Sequence, residues 1–261
     1  MLRSRIVPCL LIQNGGLVKT QMFKSPKYVG DPINAIKIFN EKEADELIVL
    51  DIDATANKAE PNYKLITKLA AECRMPLCYG GGISNPEQAF RIIDLGVEKV
   101  AISSAAINNP EIVTKISEVI GRQSVVVVLD IFKKMGLFTN SYKVFTNNGK
   151  FSHKLDPFIL AKILEEAGAG EIVINSINND GCMMGYDLEL SKQFCTKMKI
   201  PVTILGGAGS YKHISSLIQA CGIIGVGVGS LFVFKGKYRA VLINYPSREQ
   251  KDEIFQISNM L

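Results

Sequence analysis

The sequence predicts a parallel (βα)8 barrel, and three observations carry that prediction. Eight short, apolar, β-branched runs (RIVPCLLI, ELIVLDID, PLCYGGG, KVAISSAA, SVVVVLDI, EIVINSI, PVTILGGAG and IIGVGVGS) are separated by helix-length segments such as PEQAFRIIDLG and PFILAKILEEAG. The runs are apolar almost throughout, as strands covered on both faces must be. The chain also repeats itself. EADELIVLDIDA at 43–54 recurs as GAGEIVINSINN at 168–179, MPLCYGGGIS recurs as IPVTILGGAGS, and Glu46 to Glu171, Pro76 to Pro201 and Gly82 to Gly207 are each 125 residues apart. A half-barrel has been duplicated. The reading is one domain over 1–261, with half-barrels at about 1–120 and 121–245 and a C-terminal tail at 246–261.

Taken in order, strand one (IVPCLLI) ends in the glycine-bearing turn QNGG. The long segment that follows, GGLVKTQMFKSPKYVGDP, reads as a loop able to close as a lid. It holds Lys19, either a ligand contact or a solvated lysine. Strands three and seven close on Gly80-Gly81-Gly82 and Gly206-Gly207-Ala208-Gly209; strands four and eight close on Ser103-Ser104 and Gly229-Ser230. Strand five (VVVVLDI) breaks the rhythm, because the segment after Asp130 alternates around Asn147-Asn148-Gly149 and predicts an inserted β-hairpin. Asp156-Pro157 then supplies an N-cap and first-turn proline for the next helix. Superimposing the halves sets Leu11 of strand one against Asp130 of strand five.

Glycines at strand ends let backbone N–H groups approach an anion, and the helix that follows adds its positive end. One such cluster could be a mere turn. Two in the same slot of two duplicated halves predict two phosphate sites, hence a long ligand with an anion at each end. Asp180-Gly181 follows strand six beside the second cluster, and is either a ligand contact or a turn.

Composition removes other classes. The hydrophobic fraction of 47% and charged fraction of 21% are those of an ordered globular chain. A net charge of +5 comes from 30 scattered basic residues with no block longer than Lys133-Lys134, which argues against nucleic-acid binding and suits phosphorylated substrates. Cys9, Cys73, Cys78, Cys182, Cys195 and Cys221 form no CxxC pair and read as reduced core thiols. With only His153 and His213, neither a zinc site nor a Cys-His nucleophile is expected, and no cofactor is implied. No apolar stretch reaches the roughly 18 residues of a membrane span, so a cytoplasmic location is expected.

The residues just described, with IVPCL, VGDP, EADELIVLDI, GGGI, VVVVLDI, GAGEI, NDG, GYDLEL, IPV and GGAG, give a resemblance along nearly the whole chain to the cyclase subunit of imidazole glycerol phosphate synthase. The resemblance implies phosphate sites at Gly82, Ser103 and Ser104, and at Asp180, Gly181, Gly207 and Ser230. Gly206, Gly229 and Lys19 join them as candidate substrate contacts. It implies a separate glutaminase subunit at the N-terminal face of the barrel, whose ammonia enters past a ring of charges matching Arg5, Glu46, Lys99 and Glu171. Those two bases and two acids, at the starts of strands one, two, four and six, should in any case converge on the barrel floor, as a gate or as a neutralised plug. The family's two catalytic aspartates fall on Asp130 and on Leu11, and leucine can move no proton.

A paralogous group is more similar still, through the segments at 26–36, 38–43 and 229–246. Such barrels accompany surface-polysaccharide and flagellin sugar pathways, where ammonia serves a separate amidotransferase-like enzyme in turning an acetamido sugar into an acetamidino sugar. The expected function is therefore a synthase subunit that uses or delivers ammonia on a phosphorylated or nucleotide-linked sugar. The alternatives are a genuine cyclase of histidine biosynthesis and, in another class, a non-catalytic ammonia conduit that activates the glutaminase.

Overall fold

The computed structural model describes residues 3–136 and 140–259. Eight parallel strands close on themselves: β1 (Arg5–Gln13), β2 (Leu47–Asp51), β3 (Leu77–Gly80), β4 (Lys99–Ile102), β5 (Val125–Lys134), β6 (Glu171–Ser176), β7 (Val202–Leu205) and β8 (Gly225–Val228). Each pairs in register with the next, and β8 returns to β1 through Arg5↔Gly225 and Val7↔Gly227. The helices are α1 (Pro32–Glu41), α2 (Tyr63–Glu72), α3 (Pro86–Asp94), α4 (Glu111–Ile120), α5 (Pro157–Glu166), α6 (Leu188–Lys197), α7 (Tyr211–Cys221) and α8 (Arg248–Asn259). This is the expected (βα)8 barrel.

Local chemistry fixes where each helix begins. Asp31, Asn62, Asn85, Asp156, Asp187 and Ser210 accept backbone N–H bonds at the N-termini of α1, α2, α3, α5, α6 and α7. Each such cap contributes about 1 kcal/mol. Pro32, Pro86 and Pro157 stand in the first turns of α1, α3 and α5, where no N–H is missed.

The apolar strands feed two cores. The larger lies between barrel and helices, with Phe39, Leu69, Ile92, Ile116, Leu164, Phe194 and Leu217 packed on the outer strand faces. A second fills the lumen with Val7, Cys9, Ile48, Cys78, Ala101, Val126, Val128, Val173 and Leu205, and Leu11 and Leu50 pack against its edge.

Three details differ from the sequence expectations or refine them. The first loop is a β-hairpin: Gly16–Gln21 pairs antiparallel with the end of β1 (Leu11↔Val18, Gln13↔Gly16) and with Lys24–Gly30. Its two-residue turn is Asn14-Gly15, at φ 50° and 77°, the backbone that a primed turn demands. After β5, Ser141–Thr146 pairs with β5 itself (Asp130↔Phe145, Lys134↔Ser141) and then with Phe151–Ser152 across the Asn147-Asn148-Gly149 turn. The expected hairpin is there, extended by the end of β5. The segment expected as a tail carries α8, whose Ile254 is buried and whose first turn begins at Ser247, its hydroxyl accepting from Gln250 N–H. Its composition is so polar that apolar periodicity does not reveal it. No helix among the described residues is long and apolar enough to cross a membrane.

Candidate active site

At the C-terminal ends of the strands the loops enclose a cavity of about 700 Å³. Lys19, Gly82, Ser103, Ser104, Asp130, Asp180, Gly181, Gly206, Gly207, Gly229 and Ser230 all line it. Eleven positions scattered over more than 200 residues of sequence thus meet at one mouth.

The first glycine cup follows β3. Gly82 adopts φ 74°, and a Cβ there would stand 2.6 Å from the Ala59 carbonyl, so the close backbone approach needs glycine. Ser103 precedes the short helix Ser104–Asn108, and Ser104 Oγ reaches Asn147 Oδ1 of the inserted hairpin at 3.4 Å. The second cup follows β7. Gly207 has φ 114°, and a Cβ would lie 2.0 Å from the Gly185 carbonyl. Gly229 opens the tight turn Ser230–Phe232 beside it.

The hairpin after β1 closes one side of this second cup. Asp180 accepts from Thr20 Oγ1 at 2.8 Å, and its carbonyl accepts from Met22 N–H at 2.9 Å. Lys19 is not solvated: it is 6% exposed, and its Nζ donates to the Cys9 carbonyl and abuts Gly229. Its strand alternates into the barrel mouth, so of the two readings the solvated lysine is the one the structure removes. Burial pushes the Lys19 ammonium down, with Cys9 and Asp180 opposing. Asp180 is raised by burial, with the Thr20 bond and the Lys19 charge pulling back.

Asp130 stands at the mouth on β5. Burial pushes it up to about 7, the Asn175 hydrogen bond lowers it, and the Asp180 charge raises it. Asn175 Nδ2 donates to Asp130 Oδ1 at 2.9 Å across the β5–β6 register. A carboxyl with that pKa can both give and take a proton near neutrality. Four strands round the barrel, Leu11 occupies the matching slot on β1, paired in register with Leu50 of β2. Leu11 and Leu50 are the counterparts of Asp130 and Asn175 in the duplicated halves. One wall of the cavity is an acid–amide pair and the opposite wall is a leucine pair.

At the other end of the barrel, Arg5, Glu46, Lys99 and Glu171 form a closed ring. Arg5 Nη1 pairs with Glu46, Arg5 Nη2 with Glu171 Oε1 at 2.9 Å, and Lys99 Nζ with Glu46 Oε1 at 2.7 Å and Glu171 Oε2 at 2.9 Å. Burial alone would raise Glu171, but the Arg5 and Lys99 charges outweigh it and hold the carboxylate below its usual range. Thr203 Oγ1 donates a further bond to Glu171 Oε1 at 2.6 Å. Between ring and mouth lies the apolar lumen, where a neutral solute is tolerated and an ion is not.

Sequence reasoning marked Asn175 only as a strand-six position that departs from the family pattern, and did not select Thr203, Thr20 or the Asn147–Asn148 turn as site residues. Asn175 could have been found from register, since it neighbours Asp130 on the adjacent strand. The other three depend on tertiary placement: Asn148 Nδ2, for example, reaches across to the Ile52 carbonyl at 2.9 Å.

A closed parallel barrel with a cavity of about 700 Å³ at the C-terminal strand ends defines a (βα)8-barrel protein of the kind that works from its loop face. Within that class the chain belongs to the family described as "Histidine biosynthesis protein", which matches residues 5–239. It is 56% identical over 255 residues, covering 98% of this chain and 100% of the other, to the "Putative imidazole glycerol phosphate synthase subunit HisF" of Leptospira interrogans. It is 50% identical, over 97% and 99%, to the "Putative imidazole glycerol phosphate synthase subunit hisF2" of Pseudomonas aeruginosa. Identity to the "Imidazole glycerol phosphate synthase subunit HisF" of Saccharolobus solfataricus is 37%, over 87% and 90%. The chain is therefore a HisF-like member of the imidazole glycerol phosphate synthase subunits.

Proposed function

We propose that this chain is a cytoplasmic ammonia-handling synthase subunit that takes ammonia from a glutaminase at its N-terminal face and serves the conversion of an acetamido to an acetamidino group on a phosphorylated or nucleotide-linked sugar, in surface-glycan synthesis. In that conversion ammonia replaces the carbonyl oxygen and water is lost, with a separate amidotransferase-like enzyme as the partner that completes it. The observation that carries the reading is the leucine pair Leu11–Leu50 in the slot where the other half holds Asp130–Asn175. Ring closure with fragmentation of a bisphosphate needs several proton transfers, and losing one positioned acid or base costs ~10²–10⁴ in rate. Delivery of ammonia needs only a guarded entrance, an apolar lumen and one group at the exit.

In this scheme Arg5, Glu46, Lys99 and Glu171 admit ammonia while excluding ions. The lumen keeps it uncharged. Asp130, oriented by Asn175, manages the proton as ammonia leaves or reacts. The cups at Gly82, Ser103 and Ser104 and at Asp180, Gly181, Gly206, Gly207, Gly229 and Ser230 hold the ligand's anionic ends, with Lys19 beside the second.

A genuine cyclase is the second reading, favoured by the proton affinity of Asp130 and by the printed names of the relatives. The deciding experiment supplies the purified chain with the bisphosphate substrate of imidazole glycerol phosphate synthase and ammonium salts, and follows ring formation. The proposal expects none above background; sustained turnover by the wild-type chain would refute it. In the complementary assay, amide-15N-glutamine with the glutaminase and the amidotransferase-like partner should label the amidine of the sugar, and no label when this chain is omitted. A pure conduit differs in one respect, since Asp130→Asn would then leave labelling unchanged.

A further inference from the structure

Beyond the eight βα units, the chain forms a small ribbon after β8, in which Phe234–Lys235 pairs antiparallel with Ala240–Val241. Arg239 closes its turn in the left-handed region at φ 50°, its N–H bonded to the Gly236 carbonyl at 3.0 Å. A non-glycine residue held there points to a side chain whose position matters. The guanidinium lies over the Phe234 ring, 4.6 Å from its centroid. Its one side-chain hydrogen bond among the described residues is Nη2 to Ser230 Oγ at 3.4 Å. Its Nε–H is buried with no acceptor.

We infer that Arg239 is the positioning residue of the second anion cup, holding the Ser230 hydroxyl as a donor and setting a fixed positive charge behind it for a dianionic phosphate ester. The inference rests on the two-cup reading above and goes beyond it by making the cups unequal. Ser230 lines the cavity and Arg239 stands behind it. Because the guanidinium can only donate, it occupies a lone pair of Ser230 Oγ, and the hydroxyl proton is left to turn toward an anion in the cup.

Charge accounting separates this from a packing role. Lys27 Nζ sits 5.1 Å from the same Phe234 centroid and donates to the Arg239 carbonyl at 3.0 Å, so two cations share one ring. Like charges so placed repel, and an anion nearby relieves them. Lys19 adds a buried third cation, against which the cavity sets Asp180 and, beyond it, Asp130. At the first cup the lining cation is Lys58, which is exposed. A phosphate monoester carries about −1.5 to −2 at neutral pH, so the doubly charged end of the ligand belongs at Ser230 and the less charged end at Gly82.

The test titrates inorganic phosphate into the folded chain and follows backbone amide shifts of Gly207 and Ser230 for the second cup and of Gly82 and Ser104 for the first. Arg239→Gln should weaken the second cup roughly 10-fold, the usual consequence of losing a charge-assisted contact, and leave the first within about twofold. Arg239→Lys keeps the charge without the fork and should recover most of that loss. From pH 6 to pH 8 phosphate becomes a dianion while Asp130 ionises in the same cavity and opposes it, so the wild-type second cup should gain more affinity over that range than Arg239→Gln, which keeps Lys19 alone. An unchanged second cup in Arg239→Gln overturns the assignment while the two-cup reading stands. Equal weakening of both cups in both variants overturns it as well, by showing a structural role. Wild-type protein that shifts at neither cup refutes the two-cup reading and the assignment with it.

Discussion

Replacing Asp130 with asparagine should stabilise the fold at alkaline pH while removing its proton chemistry. In the unfolded chain an aspartate ionises near 3.8, whereas in the barrel burial moves Asp130 to about 7. Between those values the native state holds a proton that the unfolded state has released, so stability falls as pH rises through this window and levels off above about 7. At about 1.36 kcal/mol per pKa unit the full cost has a ceiling of about 4 kcal/mol. Asp130 is partly exposed to the cavity, and screening by its water reduces that to roughly 2 kcal/mol.

Asparagine keeps the shape, accepts the same bond from Asn175 through its own carbonyl, and has no charge to desolvate. Wild-type and Asp130→Asn chains should therefore melt alike near pH 4, diverge as the pH rises, and differ most above about pH 7. There the variant should gain roughly 4 °C or more, since 1 kcal/mol moves the melting point of a chain this size by about 2 °C. A gain of equal size at both pH values, or a loss at pH 8, would refute the reasoning, because either would mean that Asp130 is not a desolvated carboxylate.

Three further variants test the same geometry. Lys99→Met leaves the buried Glu46 and Glu171 facing Arg5 alone and should cost roughly 2–4 kcal/mol in urea unfolding at pH 7; the loss should shrink as the pH falls low enough to protonate a carboxylate, and glutamine-dependent turnover should drop more than ammonia-dependent turnover. Gly207→Ala places a Cβ 2.0 Å from the Gly185 carbonyl at φ 114° and should cost at least ~3 kcal/mol, against about 1 kcal/mol for Gly222→Ala, where φ is 76° but the space is open; equal losses in thermal melts would contradict the cup geometry. Leu11→Asp should lower stability by roughly 1–3 kcal/mol through an unpaired, half-buried carboxyl and raise the apparent pKa of Asp130, read by carboxyl-carbon NMR. If Leu11→Asp also confers ring closure on the bisphosphate substrate, the rest of the cyclase machinery is intact; if it confers none, the two cups differ from those of a cyclase as well.

The barrel was legible because its signals are local: buried parallel strands are apolar runs, and Asx-Pro pairs announce the caps of α1, α3 and α5. Those signals fail where a segment is structured by what it touches. The hairpin after β1 carries the Asn14-Gly15 turn, yet its strands read as a lid because KSPKYVG is mostly exposed and lacks alternation. Helix α8 has too few apolar residues to declare a face. At the site, glycine clusters and strand-end polar residues could be picked out because the duplicated half offers each a counterpart. Thr203 stands opposite Cys78, so the repeat offers it no polar counterpart; Asn148 acts through a contact to a distant segment, and Arg239 through Ser230 in its own ribbon.

The duplication also bears on why one acid suffices. Where two copies of a half-barrel close on one cavity, any group in the strand-end slot appears on both walls unless one copy diverges. Here the two halves differ across a strand pair: Leu11–Leu50 stands in one, Asp130–Asn175 in the other. A second carboxyl opposite Asp130 would add like charge to a desolvated group and push the two pKa values apart, giving a fixed acid and a fixed base. Facing leucine, Asp130 has no carboxyl in the opposite strand-end slot, and its nearest acidic neighbour is Asp180. If the proposed ammonia transfer is what Asp130 serves, its pH dependence should follow one ionisation near 7. A bell-shaped profile with two ionisations in that range would instead require a second group in the cavity, with Asp180 the first to replace.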